Sequence, residues 1–299
     1  ARMNFRQLSL GGLLALLLLG DVQAQGLRDA MSDRRSAKSA AQLGAELLAD
    51  LPYGQHERQR LDVYRPLKAR SAPILLMVHG GAWDKGDKRM DRVIENKMAR
   101  WLPQGYLFVS TNYRLLPDAT PLQQAEDIAQ ALSYVQQHAT GWGGDPQRVV
   151  LLGHSAGAHL VSLLSAAPEI GQAYAVQPWL GTVALDSAAF DVERIMRDRH
   201  YRLYDKAFGQ DPAYWRAASP VWRLQQAGAP MLAVCSSKRK EACLQAQGFA
   251  ERGRALDMQV TVLPQALSHG EINAQLGVPG AYTDAVETFF QRIGATPAP

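Results

Sequence analysis

The chain has 299 residues, of which 47% are hydrophobic and 20% charged, and its formal net charge is +4. This composition is that of an ordinary globular protein with ample material for a core. Part of the positive charge lies within the first 40 residues, and no dense run of Lys and Arg interleaved with aromatic residues follows. Binding to nucleic acid is therefore not expected.

The N-terminal segment, residues 1–24, has the organisation of a secretory signal peptide. A short basic region precedes an apolar run from Leu8 to Leu19, and small residues at Val22 and Ala24 predict cleavage after Ala24. The apolar run is short for a bilayer span, so no membrane span is expected after cleavage. The alternative is an uncleaved N-terminal anchor. We predict a periplasmic or secreted protein.

The rest of the chain divides into a short leader, residues 25–57, and one domain, residues 58–294. The leader has weak helical periodicity around Leu43, Leu47 and Leu48. In the domain, apolar runs typical of strands alternate with amphipathic helical patterns. In chain order the predicted strands are RLDVYRP, PILLMVHGG, GYLFVSTNYR, RVVLLGHS, LGTVALDS, APMLAVCSS and MQVTVLPQ. The alternation predicts an α/β fold with a mostly parallel central sheet, which binds ligands at the carboxyl ends of its strands.

A serine lies between two glycines in the segment GHSAG, at the junction of the predicted strand RVVLLG and the helix AGAHLVSLLSAA. A sharp strand-to-helix turn needs small neighbours, and Gly153 and Gly157 provide them. The turn would expose Ser155 as a nucleophile above the sheet. It would also leave the backbone N–H of Ala156, at the start of the helix, free for a developing oxyanion.

Two glycines follow the buried strand ILLMV in the segment HGGAW. Without side chains, Gly80 and Gly81 can present their backbone N–H groups, so we predict that they complete an oxyanion hole with Ala156. His79 in the same segment is expected to hold this loop through hydrogen bonds. His154 and His159, on either side of the serine, are expected to be packing residues.

The predicted general base is His269, which follows the last strand by a short loop in LSHGEIN. The acid that orients it should lie between the serine and the histidine in the chain, just after the strand APMLAVC. Glu241 is our candidate because SSKRKEAC offers no aspartate there. Asp186 and Asp191 are the alternatives, on the correct side of the sheet.

The only two cysteines, Cys235 and Cys243, are close in sequence, and an exported chain would meet an oxidising compartment. We therefore predict one disulfide, with a pair of buried thiols as the alternative. Such a bond would restrain the segment between the two cysteines, which contains Glu241. The seven histidines show no spacing typical of metal ligands, so no metal or other cofactor is predicted.

The segments HGGAW, GHSAGAHL, NYRLLP and AASPVW together resemble motifs of the α/β-hydrolase superfamily. They are most similar to the esterase branch related to hormone-sensitive lipase, feruloyl-esterase-like proteins and kynurenine formamidase. The resemblance covers roughly residues 58–293 and implies an eight-stranded sheet with helices on both faces and a small cap at about residues 187–222. The chain departs from the pattern at Ala82, where many relatives have a third glycine, and in its lack of the usual acidic motif.

These features favour a secreted serine hydrolase that cleaves small or aromatic carboxylic esters through an acyl-enzyme, with small-molecule esters as its partners. An arylformamidase is the alternative enzyme, which the HGGAW segment also fits. A third hypothesis is a hydrolase fold that binds ligands without catalysis. The sequence leaves the acyl and alcohol specificity and the oligomeric state open.

Overall fold

Eight strands form a single sheet in a computed structural model, which describes residues 31–298 of the chain. The predicted signal peptide, residues 1–24, lies outside the described residues. The order across the sheet is β1-β2-β4-β3-β5-β6-β7-β8, with β2 antiparallel to both neighbours and all pairs from β4 to β8 parallel. The strands are β1 Ala45–Pro52, β2 Arg60–Pro66, β3 Ala72–Val78, β4 Leu107–Thr111, β5 Gly144–His154, β6 Gly181–Leu185, β7 Met231–Ser236 and β8 Val260–Gln265. The predicted fold class, a mostly parallel eight-stranded sheet, is confirmed.

The central strands are mostly apolar because helices cover both faces of the sheet. Every residue of β3, β4, β6 and β7 is buried. Successive side chains of β3 point to opposite faces, so that Leu76 joins one core cluster and Leu75 the other. The two clusters contain most of the buried apolar side chains and hold the strand ends in fixed positions.

The helices follow the predicted alternation. They are α1 at residues 31–42, then α2 Asp91–Trp101, α3 Pro121–His138, α4 Ala156–Ala166, α5 Pro168–Gln172, α6 Val192–Arg197, α7 Arg202–Phe208, α8 Pro212–Ala217, α9 Pro220–Arg223, α10 Lys240–Arg254, α11 His269–Ala274 and α12 Ala281–Arg292. Within residues 31–298, no helix is long and apolar enough to cross a membrane.

Four short helices, α6 to α9, lie between β6 and β7 and occupy most of the segment that the sequence indicated as a cap. The aromatic ring of Phe208 on α7 packs edge-on against Trp83, with ring centroids 4.9 Å apart. Lys206 on the same helix forms a 2.6 Å ion pair with Asp84. The helical segment is thereby attached to the loop that follows β3.

The segment expected to be a leader contributes to the sheet. Leu47 and Leu48, whose spacing indicates weak helical periodicity, lie in β1, which pairs with β2. The strand carries few strongly β-forming residues, so its conformation depends on this pairing more than on local preference. The sheet therefore begins at Ala45, ahead of residue 58.

Candidate active site

Ser155 lies in the sharp turn between β5 and α4, as the sequence predicted. Its backbone has φ 56° and ψ −117°, a strained conformation for a residue with a side chain. The surrounding structure fixes this conformation, since the Ser155 N–H donates to the carbonyl oxygen of Leu185 at 2.9 Å. A Cβ atom at Gly157 would collide with the carbonyl oxygen of Val78, so only glycine lets α4 approach the end of β3 this closely.

The imidazole of His269 lies within hydrogen-bonding distance of this serine. His269 is the first residue of α11, and Ser268 caps the helix in a capping box with Glu271. The Nε2 atom is 3.0 Å from the Oγ atom of Ser155. The cap fixes the start of the helix, and with it the position from which the ring reaches the serine.

Asp186, directly after β6, is the carboxylate that contacts His269. Its Oδ2 atom lies 2.6 Å from His269 Nδ1, and its Oδ1 atom accepts from the backbone N–H of Ser236 at 2.7 Å. The side chain is fully buried. Burial acts to raise the pKa of this carboxyl, but the hydrogen bond with His269 and the positive charge of Arg239 outweigh it, so the pKa is lowered.

Glu241, the acid that the sequence favoured, does not reach His269. It lies in the first turn of α10 with its side chain 63% exposed, and its nearest ionic partner is Arg194 at 3.8 Å. The correction has a geometric reason. The strand β6 lies beside β5, which carries the serine, whereas Glu241 is on a helix turn that faces solvent. Asp191, the other alternative, caps α6 by accepting from the backbone N–H of Arg194.

The loop after β3 passes close to Ser155. A Cβ atom added to Gly80 would lie 2.9 Å from Ser155 Cβ and 2.8 Å from the carbonyl oxygen of His154, so this approach requires glycine. Among residues 31–298, the backbone N–H groups of Gly80, Gly81 and Ala156 donate no hydrogen bond. Three free donors therefore belong to the segments that meet at the serine.

The remaining histidines near the site are buried and hydrogen-bonded. The Nδ1 atom of His79 lies 2.8 Å from the carbonyl oxygen of Gly80, within its own loop. The ring of His159 accepts from Trp83 Nε1 at 3.1 Å and donates to the carbonyl oxygen of Ala218. His154 donates from Nε2 to the carbonyl oxygen of His269 at 2.9 Å. Burial lowers the pKa of these three histidines to about 4, 4 and 3, respectively.

Arg239 is a site residue that the sequence interpretation missed. Its Nη1 atom lies 2.7 Å from His269 Nδ1, and its guanidinium forms an ion pair with Asp186. It comes from the loop between β7 and α10, the segment in which the sequence pattern predicted an acid. The disulfide predicted between Cys235 and Cys243 is present in the structure and flanks this loop. It encloses Arg239 as well as Glu241.

The sheet order and the strand-turn-helix position of Ser155 define an α/β-hydrolase fold. Residues 61–240, more than half of the chain, match the BD-FAE family, so the chain belongs to that family. Esterase B from Lactobacillus rhamnosis has a similar structure, with a TM-score of 0.70 and 22% identity over 93% of this chain and 95% of that one. The apo form of esterase 2 from Thermogutta terrifontis has a TM-score of 0.68 and 21% identity, over 86% and 97% of the two chains.

Curated relatives are similar over part of the chain. Esterase LipQ of Mycobacterium tuberculosis is 28% identical over 205 residues, which are 64% of this chain and 48% of LipQ. Esterase LipC of the same organism is 27% identical over 223 residues, 68% of this chain and 54% of LipC. The chain thus spans about half the length of these relatives.

Proposed function

We propose that the protein is a serine hydrolase that cleaves carboxylic esters through an acyl-enzyme. The observation that carries this proposal is the hydrogen-bonded series Ser155–His269–Asp186, with distances of 3.0 Å and 2.6 Å. Nucleophile, base and acid in this arrangement are the three groups that acyl transfer to a serine needs. The names of the similar proteins, esterases LipQ and LipC, support the same reaction class.

In the first half of the proposed reaction, Ser155 Oγ forms a bond to the ester carbonyl carbon while its proton passes to His269 Nε2. The carbonyl oxygen becomes an oxyanion, which the N–H groups of Gly80, Gly81 and Ala156 would stabilise. Collapse of this intermediate breaks the bond to the alcohol oxygen, which takes the proton from Nε2 and leaves. Water then repeats the sequence on the acyl-enzyme and releases the carboxylic acid.

The proposed nucleophile can be tested by labelling and substitution. An organophosphonate should modify Ser155 stoichiometrically, and Ser155→Ala should lower kcat by about 10³-fold or more, because no other group supplies the attacking oxygen. Ser162→Ala is a matched control, since Ser162 is a fully buried residue of α4. Label on another serine, or near-normal turnover by Ser155→Ala, would show that the assignment is wrong.

The substrate class is the finer part of the proposal, namely small or aromatic carboxylic esters. A series of p-nitrophenyl esters of increasing acyl length, with an aromatic acyl ester beside them, measures this preference as kcat/KM. N-formylkynurenine in the same assay tests the arylformamidase alternative. We expect the ester rates to exceed the formamide rate, and the opposite order would replace the esterase proposal by the amidase one.

Export is also proposed, on the strength of the signal-peptide pattern in residues 1–24 and of the disulfide Cys235–Cys243, a bond typical of oxidising compartments. Protein expressed with residues 1–24 and recovered from the periplasm or medium should begin at Gln25. N-terminal sequencing decides the matter. Exported protein that retains Met3 would favour the uncleaved anchor.

A further inference from the structure

A permanent cation touches the acid and the base of the proposed site. Arg239 Nη1 is 2.7 Å from His269 Nδ1, forms an ion pair with Asp186 Oδ2 and lies 3.3 Å from the backbone carbonyl oxygen of Asp186. The Arg239 side chain is 34% exposed, whereas the Asp186 side chain is fully buried. The ester reaction described above gives this arginine no role in making or breaking bonds.

The chemistry of the three groups limits how they can share protons. A guanidinium only donates hydrogen bonds and stays charged, so it cannot accept the Nδ1–H of His269. Asp186 Oδ2 therefore accepts from both Arg239 and His269, while Ser236 occupies Oδ1. In this arrangement Nδ1 carries the proton and Nε2 keeps the lone pair that must face Ser155. The arginine holds the carboxylate in place and compensates part of its charge.

Compensation of that charge affects the imidazole. An uncompensated carboxylate stabilises the imidazolium, whereas a cation next to the ring opposes its protonation. We infer that Arg239 is a positioning residue that fixes Asp186 and extends the activity of the site to lower pH, by opposing protonation of His269. This inference rests on the proposed function, because it assumes that His269 acts as the base.

The loop that carries Arg239 is attached to the sheet on several sides. The backbone N–H of Arg239 donates to the carbonyl oxygen of Ser236 at 3.0 Å. The backbone N–H of Ser237 donates to the carbonyl oxygen of Gln265 at 2.9 Å. The Cys235–Cys243 disulfide joins the end of β7 to the first turn of α10, across the base of the loop. These attachments limit the positions that the guanidinium can take.

Other titratable and charged groups lie around Asp186 and His269, and they remain unchanged when Arg239 is replaced. They are His154 on β5, Lys97 on α2, Tyr204 on α7, Tyr282 on α12, Lys238 in the Arg239 loop and Glu271 on α11. Because the variants share all of them, a difference in pH dependence between variants reports on position 239.

The test compares the pH dependence of kcat/KM for p-nitrophenyl acetate in four variants. Arg239→Met and Arg239→Gln should both move the midpoint of the acid limb upward, by about one pH unit. Arg239→Lys should stay close to the parent protein because it keeps the charge. Lys240→Met is the matched control, an exposed cation of the same segment for which we expect no shift. A uniform loss of rate without a moved midpoint, or an equal shift in Lys240→Met, would overturn the inference.

A second measurement needs no substrate and separates the two proposals. The ring C2–H signal of His269, followed by NMR across the same pH range, should show the same upward shift in Arg239→Met. If the signal shifts but the parent protein hydrolyses no ester and takes no phosphonate label, the proposed function fails and the charge effect remains. If the parent protein is an active esterase and the signal does not shift, the inference about Arg239 fails alone.

Discussion

Asp186 remains an anion in a buried position because three donors surround it. Desolvation alone would favour the protonated acid, yet the N–H of Ser236, the ring of His269 and the guanidinium of Arg239 hold its pKa below the ordinary value. At neutral pH the site therefore contains a charged carboxylate in a fixed orientation. Such a group can balance the imidazolium that would form in the proposed acyl transfer.

Replacement of this carboxylate distinguishes the acid found in the structure from the one expected from the sequence. Asp186→Asn should lower kcat by about 10⁴-fold, because the amide no longer imposes the Nδ1–H tautomer on His269. Glu241→Gln is the matched control and should keep its ester rate, since its side chain is exposed and its ionic partner is Arg194. Steady-state kinetics on one p-nitrophenyl ester measures both variants. A large loss in Glu241→Gln with a normal rate in Asp186→Asn would return the role to Glu241.

At the scale of elements, buried charges attach the loop after β3 to the edge of the sheet. Asp62 on β2 is fully buried, and its carboxylate contacts Lys88 Nζ at 3.0 Å and Arg89 Nε at 2.5 Å. Asp50 on β1 pairs with the same two cations at 2.7 and 2.8 Å. The loop that carries Gly80 and Gly81 thus ends in a network that includes both antiparallel strands.

Neutralisation of Asp62 should destabilise the protein. In Asp62→Asn the largely buried cations Lys88 and Arg89 lose a negative charge that balances their own. We therefore expect the free energy of unfolding to fall by about 3 kcal/mol. Asp91→Asn is the matched control, because its ion pair with Arg35 is exposed and should contribute less than about 1 kcal/mol. Urea denaturation at pH 7 measures both. Equal small losses would contradict a structural role for the network.

The elements that the sequence predicted well are those whose apolar pattern is continuous. The strands β3 and β5 were predicted from uninterrupted apolar runs, and the position of Ser155 followed from the strand and helix on either side. The strand β1 was missed because its side chains are half exposed and its pairing is a tertiary effect. The acid was misplaced because the sequence does not show which of two neighbouring strand ends lies within reach of His269. Arg239 carried no signal beyond its place in a loop of charged residues.

At the scale of the whole molecule, one buried lysine should make stability depend on pH. Lys97 on α2 is almost fully buried, and its Nζ contacts the backbone and side-chain oxygens of Asn273 at 2.7 and 2.9 Å. Desolvation lowers its pKa to about 7 from an ordinary value of 10.5. Between these two pH values the unfolded chain binds a proton that the folded chain does not, so stability should rise with pH.

Lys97→Met should remove this dependence. The parent protein is expected to gain stability between pH 7 and pH 9, whereas the variant should show a flatter profile, since it has no group to titrate there. Lys68→Met is the control, because Lys68 is exposed and its removal should leave the slope intact. Urea denaturation at the two pH values gives the comparison. A slope in Lys97→Met equal to that of the parent protein would show that another group is responsible.

The contact between Asp186 and Ser236 also has an evolutionary consequence. Neighbouring strands in a sheet lie about 4.8 Å apart, so the end of β7 adjoins the end of β6, and the N–H of Ser236 reaches Asp186 Oδ1 at 2.7 Å. A descendant that gained an acidic residue at the end of β7 would have a second carboxylate beside Asp186. If that carboxylate reached His269, the descendant could then lose Asp186 without passing through an inactive intermediate. The strand that carries the acid is therefore the part of this site that a substitution could move to a neighbouring strand. Ser155 has no such freedom, because its position depends on one strained turn.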